Sequence, residues 1–184
     1  MTEPDTPLLS SIKSLHAHPA NMRRILAELS QVLQGDDSWS RAEIFRAGEI
    51  LMDRQDPATA KGVWPSPPLM MTATLDDAIG QGLKIIHLYS RLAGMNVEQL
   101  GLMLPPEKII EACRQSKPDV LGLTILQFHS EETLCDLVER LPSQTKVIVG
   151  GPIFKSFSRE EVNAKDYHVL NDIRHFLDFL LDMR

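Results

Sequence analysis

The residues of this 184-residue chain best suited to chemistry lie in three short stretches: Asp76 and Asp77 with Gly80 behind them, Thr124 to His129, and Gly150-Gly151. Adjacent acids can hold a cation or cap a helix. A loop histidine such as His129 can ligate a metal or haem, although it more commonly faces solvent or caps a helix. Paired glycines let a ligand approach the backbone, because neither carries a Cβ; they also end strands as simple turns. Elsewhere the chemistry is thin. Cys113 and Cys135 have no neighbouring cysteine, and His16 and His18 are spaced poorly for a shared metal on a helix. His87 falls within an expected helix, His168 and His175 look incidental, and no Ser/His/Asp or Cys/His arrangement is suggested.

The elements that must position these stretches follow from periodicity. Residues 8–56 carry apolar stripes at helical spacing: Leu8, Leu9, Ile12 and Leu15, then Met22 to Leu33 ending at Gly35, then Ile44 to Leu51 opened by Ser38 or Ser40. These stripes need something to pack on. Pro57, Gly62, Pro65, Pro67 and Pro68 break any regular structure, so the boundary is placed near Trp64, with a helical segment over 1–64 and an α/β domain over 65–184.

Beyond it, strands are expected at 69–74, 96–100, 119–125, 146–149 and, weakly, 167–170. Helices are expected at about 78–92, from Pro105-Pro106 onward, and at 131–141 and 173–183. Ile79, Leu83, Ile86 and Tyr89 form the expected inner side of the first of these helices. Strands alternating with helices imply βαβ crossovers and a parallel sheet. The fold class is α/β: a doubly wound, flavodoxin-like sheet of five parallel strands preceded by a small helical segment. Ligands of such sheets sit above the carboxyl ends of the strands, where all three chemical stretches fall.

Known nucleotide loops do not fit there. Thr74 to Gly80 offers one glycine and two acids, so neither a G-x-G-x-x-G fingerprint nor a phosphate-binding loop is present, and the acids repel phosphate. Thr74 alone supplies too few hydroxyls for a flavin loop. A response-regulator receiver would need an aspartate ending its third strand, where this chain has Thr124 and Ile125.

The pattern that does fit runs through Leu75-Asp76-Asp77-Ala78-Ile79-Gly80, Thr124-Ile125-Leu126 and Gly150-Gly151. It is supported by Leu92 to Val97, Leu104-Pro105-Pro106-Glu107-Lys108 and Asp119 to Leu123. Over residues 70–183 this resembles the cobalamin-binding domain of methionine synthase, corrinoid methyltransferase proteins and cobalamin-dependent mutases, whose motifs are D-x-H-x-x-G, S-x-L and G-G. The resemblance implies that Asp77, Gly80, Thr124, Leu126, Gly150 and Gly151 form the cofactor site. The glycine pair would lie against the nucleotide tail, Thr124 would offer its hydroxyl to the displaced base, and Gly80 would keep the turn tight at the corrin edge. It also implies a departure. The family's cobalt-ligating histidine is replaced by Asp77 and its supporting aspartate by Leu75. A carboxylate is a hard donor that matches low-spin cobalt poorly, so a corrinoid here would lack histidine ligation. Asp76 and Asp77 then read most simply as caps of the following helix.

Two functions follow. The chain is either a non-catalytic corrinoid carrier or sensor acting with another protein, at most the corrinoid-carrying subunit of a methyltransferase-type system, or a degenerate descendant without cofactor that serves as an interaction or regulatory module. The second expects the tail channel to be refilled by Phe128, Phe154 or Phe157. Composition fits both: 43% hydrophobic, 24% charged and a net charge of −6, which opposes non-specific nucleic-acid binding. The acidic N-terminus and the absence of a long apolar run read as a cytoplasmic, soluble protein with reduced thiols.

Overall fold

The computed structural model describes residues 10, 12, 22–34, 39–55, 62–76, 81–127, 130–151, 154 and 167–183. The chain divides into two compact units. One comprises Met1–Pro67, Ile85–Met95 and Ile173–Arg184; the other comprises Pro68–Lys84 and Asn96–Asp172.

The first unit is helical. Helix α1 (Met22–Gln34) buries Met22, Leu26, Leu29 and Leu33, the stripe expected from the sequence. It packs on the closing helix α6 (Ile173–Asp182), which buries Phe176, Leu177 and Leu180. Polar contacts fasten the pair: the Ser30 hydroxyl donates to Asp178 Oδ1 at 2.6 Å, and Arg23 donates to the Leu181 carbonyl at 2.6 Å. Helix α2 (Arg41–Asp53) is opened by Ser40, whose hydroxyl accepts from the Glu43 N–H while the Glu43 carboxylate accepts from the Ser40 N–H. This capping box satisfies two otherwise orphaned donors.

Helix α3 (Gln81–Ala93) reaches α2 through Tyr89, whose buried hydroxyl donates to the Ile44 carbonyl at 2.8 Å. Gly48 makes that approach possible, because a Cβ there would stand 2.7 Å from Leu88 Cδ2. Leu83 and Tyr89 are buried as their spacing predicts, but Ile86 is only half-buried while Ile85, His87 and Ser90 are buried. The helix is enclosed more widely than a single apolar stripe suggests. Among the described residues no helix is long and apolar enough to cross a membrane.

The second unit is built on a five-stranded, all-parallel sheet. Its strands are β1 (Leu69–Thr74), β2 (Asn96–Gly101), β3 (Val120–Thr124), β4 (Lys146–Gly150) and the short β5 (His168–Val169). The order β2-β1-β3-β4-β5 is that of a doubly wound, flavodoxin-like fold, with the switch point between β1 and β3. Helix α4 (Pro106–Ser116) starts at a proline, which has no N–H to leave unpaired. Helix α5 (Ser130–Glu139) follows β3, and Arg140 just beyond it pairs with Glu107 of α4 at 2.7 Å and with Asp136 at 3.0 Å.

One sheet face carries Met71 and Ala73, Leu121 and Leu123, Val147 and Val149. These form one buried cluster with Ile109, Ile110 and Cys113 of α4 and with Leu134 and Leu137 of α5. Strand side chains alternate, so the opposite face carries Met70, Thr72 and Thr74, Val120, Gly122 and Thr124, and Lys146, Ile148 and Gly150. That alternation decides what the carboxyl edge presents.

Candidate functional site

Parallel registry brings three distant residues abreast. Thr74 pairs with Thr124, and Thr124 pairs with Gly150, at the carboxyl ends of β1, β3 and β4. One step back, Thr72, Gly122 and Ile148 stand in the next row. The last row therefore presents two hydroxyls and a hydrogen on a single face. Thr74 is fully buried, whereas Thr124 and Gly150 are only partly so. Among the described residues the Thr124 side chain makes no hydrogen bond.

The two glycines, alike in sequence, differ in structure. Among the described residues a Cβ on Gly150 would meet only the Leu170 carbonyl, at 3.4 Å, which is ordinary contact. A Cβ on Gly151 would stand 1.8 Å from the Ile125 carbonyl oxygen, and φ is +144° there. Gly151 is glycine because the chain's own backbone occupies the space; at Gly150 the described residues would admit a Cβ. Phe154 also follows β4. It is buried among the alternate strand face with Tyr167, their rings edge-on with centroids 6.4 Å apart. Its ring therefore belongs to the core on the far side from the Thr74–Thr124–Gly150 row. Phe128 and Phe157 lie outside the described residues, as do Asp77, Gly80 and His129.

Asp76 corrects the expectation drawn from the sequence. It does not act as a cap of α3. Its Oδ2 accepts from the backbone N–H groups of Leu126 at 2.7 Å and Gln127 at 2.9 Å, the first residues of the loop after β3. A helix cap is a local arrangement, but these two donors lie about fifty residues away, and only the closing of the sheet brings them into reach. Leu126 thus enters through its amide. Thr74 has a structural role that the sequence did not single out. Its hydroxyl donates to the Asp76 carbonyl at 3.0 Å and accepts from the Met103 N–H at 2.8 Å, while its carbonyl accepts from the Leu104 N–H at 2.9 Å. Thr74 and Asp76 together tie the loops after β1, β2 and β3. Met103 is held at φ +53° with its side chain exposed.

Small and hydroxylated side chains suit a ligand lying along this row, and the Phe154 ring is packed away from it. Among the described residues no group of three or more His, Cys, Asp or Glu side chains could hold a metal ion by itself.

Comparison with known proteins agrees with that chemistry. No curated protein matches the chain. In structure it is similar to a novel cobalamin-binding protein from Desulfitobacterium hafniense DCB-2, at 17% identity and a TM-score of 0.67, covering 95% of this chain and 97% of that one. It is also similar to the monomethylamine corrinoid protein of Methanosarcina barkeri, at 18% identity and a TM-score of 0.53, over 97% of this chain and 90% of that one. A third likeness is to the methanol:cobalamin methyltransferase complex MtaBC from the same organism, at 14% identity and a TM-score of 0.55, over 95% of this chain and 69% of that one. At these identities the likeness is one of fold. The B12 binding domain model matches residues 69–175, which span the whole sheet, and the chain belongs to that family.

Proposed function

We propose that this protein is a corrinoid-binding module that holds cobalamin without histidine ligation and serves as a carrier or sensor beside a partner protein, with no catalysis of its own. The observation that carries this reading is the Thr74–Thr124–Gly150 row, small and hydroxylated on one face of the sheet while Phe154 is packed into the core of the other. A nucleotide tail lying along the row would pass Gly150, where no Cβ intrudes. The Thr124 hydroxyl, which makes no hydrogen bond within the described residues, would donate to the tail's base. Loops tied together by Thr74 and Asp76 would meet the macrocycle with little ordering left to do, which favours tight binding.

A bound corrinoid supplies the chemistry of its cobalt, and the protein supplies binding and orientation. With Asp77 where the family has its histidine, the lower face of the metal would meet water or a weakly held carboxylate. The corrinoid and methyltransferase proteins that share the fold support a carrier that works with another protein.

The test is direct. The purified protein is incubated with hydroxocobalamin and desalted, and its absorbance is recorded. Corrin bands travelling with the protein, unchanged by acid over the range in which a coordinated imidazole would be released, are the expected result. A folded protein that emerges free of corrin bands ends the proposal. That outcome would favour a second reading, a cofactor-free interaction module, which is supported by Gly151: the Ile125 carbonyl accounts for the glycine there without any ligand.

A further inference from the structure

Asp76 is buried, at 8% exposure, at the end of β1. Its carboxylate reaches across the switch-point crevice to the loop after β3, where Leu126 and Gln127 hold Oδ2. The second oxygen, Oδ1, is equally enclosed and has no hydrogen-bond partner among the described residues. Two amide donors on one oxygen fix the orientation of the group and leave Oδ1 as its open acceptor. A buried carboxylate oxygen without a donor is costly, and such exceptions in native structures usually mark a place for a water, an ion or a ligand. A protein-held cation finds no support, because Asp76 belongs to no group of three or more His, Cys, Asp or Glu side chains among the described residues. The missing component is an N–H or O–H donor.

We infer that Asp76 Oδ1 is a specificity-determining acceptor that takes a hydrogen bond from a side-chain carboxamide at the rim of the corrin. This rests on the proposed corrinoid binding and narrows it to corrinoids bearing an amide at one rim position. A carboxamide offers the required N–H. A carboxylate at that position offers none and places like charge against Asp76, and buried like charges repel strongly.

The experiment measures equilibrium binding of the full chain to cyanocobalamin and to each cobalamin monocarboxylate, in which one rim amide is hydrolysed to an acid. The wild type is expected to bind at least one monocarboxylate tenfold or more weakly than cyanocobalamin, equivalent to about 1.4 kcal/mol. In Asp76→Asn the carbonyl must face Leu126 and Gln127, which places the NH2 group where Oδ1 stood. A rim carboxamide can turn its C=O toward that NH2, so this variant should still bind cyanocobalamin but should bind the discriminated monocarboxylate more tightly than the wild type does, removing the preference. Asp76→Ser, with a hydroxyl that both donates and accepts, should bind the two alike. Equal affinity of the wild type for cyanocobalamin and every monocarboxylate overturns the inference while leaving the corrinoid reading intact, as does an unchanged preference in Asp76→Asn. If Asp76→Asn does not fold, an unchanged preference in Asp76→Ser overturns it equally. Failure of the wild type to bind cyanocobalamin overturns both.

Discussion

Replacing each glycine of the Gly150-Gly151 pair by alanine separates what the fold requires from what a ligand would require. At Gly151 the new methyl would stand 1.8 Å from the Ile125 carbonyl oxygen and 2.9 Å from its carbon. Reaching an ordinary contact means opening the two backbones by roughly 1.6 Å, since ordinary contact begins near 3.4 Å. The neighbouring bond from the Ile125 N–H to the Gly150 carbonyl is 3.0 Å long and would not survive such an opening. Loss of that bond costs about 1 kcal/mol. A side chain at φ +144° adds about 1–3 kcal/mol of backbone strain. Gly151→Ala should therefore destabilise the protein by about 3 kcal/mol. At Gly150 the methyl meets, among the described residues, only the Leu170 carbonyl at 3.4 Å, and φ is not positive, so Gly150→Ala should lie within about 1 kcal/mol of the wild type. Urea unfolding followed by circular dichroism reads both as shifts in midpoint at constant m. A Gly151→Ala protein within about 1 kcal/mol of the wild type would refute the assignment of this glycine to backbone packing. If Gly150→Ala folds normally but holds hydroxocobalamin more weakly, the room above Gly150 is ligand space.

Other expectations are simpler. Ser40→Ala removes the capping box of α2 and should cost about 1 kcal/mol, measured by the same urea midpoints. Burial pushes the Cys113 thiol up to about 11, whereas Cys135 is partly exposed; Ellman's reagent should label Cys135 in the native protein and reach Cys113 only on unfolding. Equal rates for the two thiols would contradict that burial. Burial, with the Arg91 charge as the lesser cause, holds His87 below the ordinary imidazole value of 6.5. The unfolded chain then binds the proton more readily than the folded one, so this contribution to stability is full above about pH 6.5 and is lost as pH falls from there. Urea midpoints measured from pH 8 to 5 should decline on the acid side, and the His87→Gln variant should show a shallower decline.

The alternation of strands and helices was legible because each element carries its own period. Leu69–Thr74 and Lys146–Gly150 are apolar runs bounded by breakers, and Met22–Gln34 shows a helical stripe. Even the two-residue β5 falls inside its expected window. The motif order also pointed to the B12 binding domain, since glycines and hydroxyls at strand ends leave local traces. His87 shows where this stops. Its buried state follows from what surrounds the helix, and a single-helix pattern does not record that.

The sequence by itself determined the class of fold, the family and the place of each strand to within a residue at either end, because these depend on side-chain size and periodicity within a few neighbouring residues. Only the tertiary structure decided that Thr74, Thr124 and Gly150 stand in one row, that Asp76 reaches the amides of Leu126 and Gln127, and that Gly151 serves the backbone of Ile125. Each of these joins segments far apart in the chain. Strand order and registry set such contacts, and they exist only once the sheet has closed.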